Sequence, residues 1–172
     1  MRQFVPLVLL LIAGNAWADK VTLTLPSNGK ISFDAPATSK LKETIEAGRY
    51  QYVASSAGKA DERFAVSVTV EPAIDCHHGK ATKDITRCFL EKTDDMQGIV
   101  RESRRTECAD KSCTVVYMLA YRDGDKDVRQ LQVNVLFAYR KGWGRVLTSV
   151  DVPTEQDVIN LMAFPSSLSY KE

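Results

Sequence analysis

Hydrophobic residues along this chain recur mostly with period two, broken by stretches whose period is closer to 3.6. Val21, Leu23 and Leu25 alternate with threonines, Pro26-Ser27-Asn28-Gly29 follows, and Ile31 and Phe33 resume the alternation. Asn-Gly between two alternating runs predicts a β-hairpin. Phe64, Val66, Val68 and Val70 alternate with Ala65, Ser67 and Thr69 up to Pro72, which predicts a half-buried strand. Further strands are predicted around Tyr50 and Tyr52, over Thr114–Arg122, over Val128–Arg140 and over Arg145–Val152. In the third of these Leu131, Val133, Val135, Phe137 and Tyr139 share one face; in the last Val146, Val150 and Val152 do.

Three segments have helical spacing. Ile85, Cys88 and Phe89 fall at i, i+3 and i+4, predicting a helix from Thr82 to about Met96 that ends near Gly98 and turns Cys88 inward. Thr154-x-x-Asp157 is a capping-box variant that opens a second helix, with Val158, Leu161 and Met162 facing the core and Pro165 as its stop. Leu41 and Ile45 stand one turn apart, so a short helix is predicted over Ser39–Ala47 with Gly48 as its end. Strands in meander order with interspersed helices give an α+β domain, an antiparallel meander sheet packed with two or three helices.

The N-terminus sets the compartment. Met1-Arg2, the apolar run Phe4–Ala13 and the small-x-small pattern Ala16-Trp17-Ala18 form a secretory signal cleaved after Ala18. Residues 1–18 are therefore a signal peptide and 19–172 a single domain, periplasmic or secreted, with no membrane insertion after cleavage. The chain carries 23 basic and 22 acidic side chains. Such a balance supplies no global field for nucleic acid. Arg101, Arg104 and Arg105 form a local basic cluster that reads as solvated strand ends.

Export changes the reading of Cys76, Cys88, Cys108 and Cys113, which in an oxidising compartment form disulfides. Three pairings are possible. Cys108 and Cys113 bracket a tight polar connection, so Cys76–Cys88 with Cys108–Cys113 is preferred; the runner-up crosses the segments as Cys76–Cys113 and Cys88–Cys108. Asp75-Cys76-His77-His78-Gly79-Lys80 contains both histidines of the chain. A zinc centre draws three or four ligands from separated places. Consecutive side chains diverge and no third histidine exists, so the segment reads as a disulfide-tied corner, with no metal and no cofactor. Asp123-Gly124-Asp125-Lys126-Asp127 begins like a calcium loop but lacks its later Gly and Glu, and reads as a hairpin turn. No nucleophile elbow, phosphate-binding loop or dinucleotide fingerprint is present. The expectation is a non-enzyme with no catalytic residues.

The hairpin "VTLTLPSNGKISFDAP", the second hairpin "RQLQVNVLFAY…GRVLTSVDVP" and the closing "VINLMAFPSSLSY" together resemble the PsbP-like fold, named for an extrinsic subunit of the photosystem II oxygen-evolving complex. The resemblance spans the chain after residue 18. It implies a non-enzymatic protein-binding or accessory domain of a bacterial envelope; some similar exported domains are immunity proteins against toxins of type VI secretion.

The expected function is thus an exported, non-catalytic protein-binding domain, an immunity or inhibitor protein or an envelope accessory protein. The alternatives are a metal-dependent hydrolase using His77 and His78, or a small-ligand carrier with its site between sheet and helix. Trp143, between Gly142 and Gly144 and flanked by Arg140, Lys141 and Arg145, allows two readings. Held at a hairpin tip, it is a partner-binding anchor with a basic rim; folded back, it seals the end of the sheet.

Overall fold

Alternation of buried and open positions sorts the strands into two sheets. The computed structural model describes residues 19–35, 38–56, 64–71, 76–140 and 142–171; the expected signal peptide lies outside them. The elements in chain order are β1 (Asp19–Thr24), β2 (Lys30–Ala35), β3 (Thr38–Glu46), β4 (Arg49–Ser56), β5 (Phe64–Glu71), α1 (Thr82–Asp94), β6 (Ile99–Cys108), β7 (Ser112–Asp123), β8 (Lys126–Tyr139), β9 (Gly142–Asp151), α2 (Glu155–Ser167) and β10 (Ser169–Lys171). The large antiparallel sheet runs β3-β4-β5-β9-β8-β7-β6 and the small one β1-β2-β10. Two meanders, β3–β5 and β6–β9, join where β5 pairs with β9. The chain crosses from β5 at the centre to β6 at the far edge, and α1 lies in that crossing. This is the expected α+β class, stapled by two disulfides.

The two faces of the large sheet are covered differently. Phe64, Val66, Val68, Leu131, Val133, Val135 and Phe137 meet Ile31 and Phe33 of the small sheet and Leu161 and Phe164 of α2 in the main core. The opposite face carries a smaller core, in which Ile85 and Phe89 of α1 cover Val115, Tyr117, Leu136 and Trp143. One polar atom on each side has no hydrogen-bond partner among the described residues, Thr148 Oγ1 and Asn134 Oδ1.

Several expected elements change. Residues of the expected 39–47 helix form β3, an edge strand. Ala47 and Gly48 both have positive φ (47° and 78°), as a two-residue hairpin turn requires, and Glu46 pairs with Arg49 across them. A bulge between Lys40 and Lys42 shifts Leu41, and both Leu41 and Ile45 are 65% exposed. In α2 the capping box forms, with Asp157 N donating to Thr154 Oγ1 and Thr154 N donating to Asp157 Oδ2. Its buried residues are Leu161 and Phe164, while Val158 and Met162 face outward. Pro165 does not stop it; the helix closes two residues later, where Ser167 Oγ donates to Phe164 O. Strand β6 was not anticipated, because most of its residues are exposed and a bulge between Val100 and Arg105 removes any alternation. No helix among the described residues is long and apolar enough to cross a membrane.

Candidate functional site

The segment before α1 forms a tight turn in which Gly79 N donates to Cys76 O at 3.4 Å, placing His77 and His78 at the two central positions. Gly79 has φ +133°, and a Cβ there would press on the Asp84 carboxylate at 2.6 Å, so glycine is the residue the turn admits. The Cys76–Cys88 disulfide ties this turn to the inward face of α1. Glu91 stands three residues beyond Cys88, hence one turn along the same side of the helix. The result is a convergence. His78 Nε2 is 2.5 Å from Glu91 Oε1 and His77 Nε2 is 3.6 Å from Glu91 Oε2, with the imidazole centroids 3.9 Å apart. The hydrogen bond from His78 holds the Glu91 carboxyl below the usual carboxylate range, with the charges of His77 and Arg87 adding to it. The expected divergence of consecutive side chains is therefore overturned. It describes a strand, whereas the two central residues of a tight turn can project to one side.

The β8–β9 connection turns out otherwise. Trp143 lies inside β9, opposite Ala138 on β8 and Glu71 on β5, and is only 8% exposed. Its indole packs with Ile85, Phe89, Val115, Tyr117 and Leu136, and Nε1 donates to Glu71 Oε2 at 3.2 Å. Glu71 also pairs with Arg49 at 3.1 Å. Gly144 serves packing instead of a turn, because a Cβ there would fall within the Phe137 ring. Arg145, two residues on and so on the same face as Trp143, lies with its guanidinium 5.9 Å from the Phe89 centroid; burial lowers its pKa, opposed by Tyr117 and Glu71. Arg140 sits in the turn itself with φ +51°, donating from Nη2 to Ser27 O at 2.7 Å. Lys141 lies outside the described residues. Trp143 thus takes the second of its two readings and seals the sheet beneath α1 as a core residue, while Arg140 lies in the turn against Ser27.

Cys108–Cys113 closes the β6–β7 hairpin. On β6, Arg104 pairs with Asp94 at the end of α1 and Arg101 donates to Asp94 O at 3.2 Å, so these arginines fasten the edge strand to the helix. Asp123 pairs with Lys126 across the expected hairpin turn, with Gly124 at φ +58°. A cavity of about 390 Å³ opens at the end of the sheet between Pro26, Ser27, Gly48, Glu71, Arg140 and Gly142.

The chain matches no known protein family, and no curated protein resembles it closely enough to count as a relative. What fold and site define is a class, a disulfide-stapled α+β domain with a histidine–carboxylate corner.

Proposed function

We propose that the protein is an exported, non-catalytic domain that binds another protein through the outer face of α2, as an inhibitor, an immunity protein or an envelope accessory factor. The observation that carries this reading is an unspent apolar surface. The inner face of α2 is satisfied by Leu161 and Phe164, yet Val158, Ile159 and Met162 remain exposed on the other side, as does Val152 just before the helix. Val158 and Met162 stand one turn apart with Ile159 beside them, the spacing of anchors that enter a groove. Glu155, Asp157 and Asp151 flank these residues in sequence, so the complementary partner surface is an apolar groove with basic edges. Two disulfides support export, and the resemblance to PsbP-like domains points to the same kind of role. Hydrolysis at His77 and His78 is the less favoured reading, since His77 and Glu91 are open to solvent and catalytic electrostatics gain most where water is excluded.

A photo-crosslinking residue at position 159 tests the proposal in the intact envelope. It should yield one discrete adduct, and the purified partner should lose at least about tenfold in affinity for Met162→Glu, the effect of a hot-spot residue. Unchanged affinity in Met162→Glu, with the variant folded, would remove α2 as the binding face.

A further inference from the structure

We propose that His77, His78 and Glu91 form a binding site for one divalent transition ion of the zinc class. The side-chain donor atoms of the three residues lie within 4.8 Å of one another, in a group that includes Cys88 Sγ. Cys88 is bonded to Cys76, so its sulfur is not a thiolate and does not count as a ligand. The ligand set is two imidazole nitrogens and one carboxylate, with the remaining position open to solvent. Two nitrogens and an oxygen suit zinc and its neighbours, whereas calcium and magnesium take oxygen alone.

Geometry favours the same conclusion. Zinc–ligand bonds of 2.0–2.2 Å in a tetrahedron place donor atoms about 3.3–3.6 Å apart. His77 Nε2 and Glu91 Oε2 already stand at 3.6 Å. His78 Nε2 and Glu91 Oε1, now hydrogen-bonded at 2.5 Å, open by about 1 Å, and the carboxyl, which meets His77 through its other oxygen, turns so that one oxygen serves both nitrogens. The backbone that carries them is fixed on both sides, by the disulfide from the turn to α1 and by the helix that presents Glu91. Metal binding therefore requires rotation of side chains and no rearrangement of the chain. The side-chain exposures, 73% for His77 and 21% for His78, leave an ion free to enter.

The chain has only two histidines, which makes the test clean. Tag-free protein, oxidised and free of thiol reductant, is titrated with ZnCl₂ by calorimetry, and the imidazole resonances are followed by NMR. The expected result is one Zn²⁺ per chain, with both histidine spin systems shifting together. Affinity should fall at least about tenfold in His78→Ala and in Glu91→Gln, as for loss of a ligand, and stay unchanged in Glu155→Gln on α2. Circular dichroism checks that each variant is folded; the imidazole shifts in the unaltered protein need no variant. Absence of stoichiometric binding, or binding that survives both substitutions, would overturn the assignment.

Discussion

Trp143 and the His77–His78 pair are both set beside glycines near a chain reversal, and the two places end in opposite roles. Trp143 is held in a ladder with β5 on one side and β8 on the other. In a ladder the side chain has two directions available, and here one of them faces Ile85 and Phe89 of α1. His77 and His78 lie in a tight turn, held against α1 by the neighbouring disulfide and by their contacts with Glu91. The segment with the composition of an interaction hot spot is core, and the segment that read as a mere corner is where polar side chains converge. Backbone state decides between the two roles, and residue type does not.

The largest effect should come from emptying the α1 core. Trp143→Ala removes a buried indole and takes the indole donor from Glu71 Oε2, so it should cost about 3–5 kcal/mol of stability in chemical denaturation. Near-wild-type stability would restore the exposed-anchor reading. Next is the tether. Replacing Cys76 and Cys88 by alanine should cost about 3 kcal/mol, and replacing Cys108 and Cys113 about 2 kcal/mol, since the second bridge spans 5 residues against 12. An equal or reversed pair of losses would mean that the first disulfide does not hold the corner to α1.

Alkaline pH sharpens the same contrast. Tyr117, beside Trp143 under α1, has its phenol pKa raised by burial. An unfolded tyrosine titrates near pH 10. The folded group holds its proton longer, so its contribution is fully present below about pH 10 and is lost as pH rises through the higher folded value. Urea unfolding at pH 8 and 11 should therefore show a loss of stability that shrinks in Tyr117→Phe. If the loss is the same in both, Tyr117 is not its source. The smallest effect belongs to the corner. His77→Ala should leave the metal-free thermal midpoint indistinguishable from wild type, because an exposed side chain contributes little packing. A large drop there would make the corner a structural element.

Much of this fold was legible wherever a strand or helix buries one clean face. The alternation from Leu131 to Tyr139 and from Phe64 to Val70 appears in the main core as expected, and Ile85, Cys88 and Phe89 are buried on α1. The edges were not legible, for two reasons. Leu41 and Ile45 have the spacing of a helix turn, but the bulge and the positive-φ pair Ala47-Gly48 that make them a strand come from pairing with β4. Strand β6 buries too little to leave a pattern. At the corner, the missed residue was Glu91. A signal for it existed, since a Cys76–Cys88 bridge brings the turn to α1 and Glu91 lies one turn beyond Cys88 on that helix. At β9, Gly142 and Gly144 suggested a loosened tip, whereas the Phe137 ring occupies the space a side chain at 144 would need.

The exchange of roles between Trp143 and the corner is tested most directly by the fluorescence of Trp143. Of the chain's two tryptophans, Trp17 falls in the expected signal peptide, so protein beginning at Asp19 reports on Trp143 alone. Packed under α1, the indole should emit at the blue end of the tryptophan range, resist quenching by acrylamide, and shift red with ready quenching only when the protein unfolds. Red-shifted emission and fast quenching in the native protein would contradict the buried placement and return Trp143 to the surface.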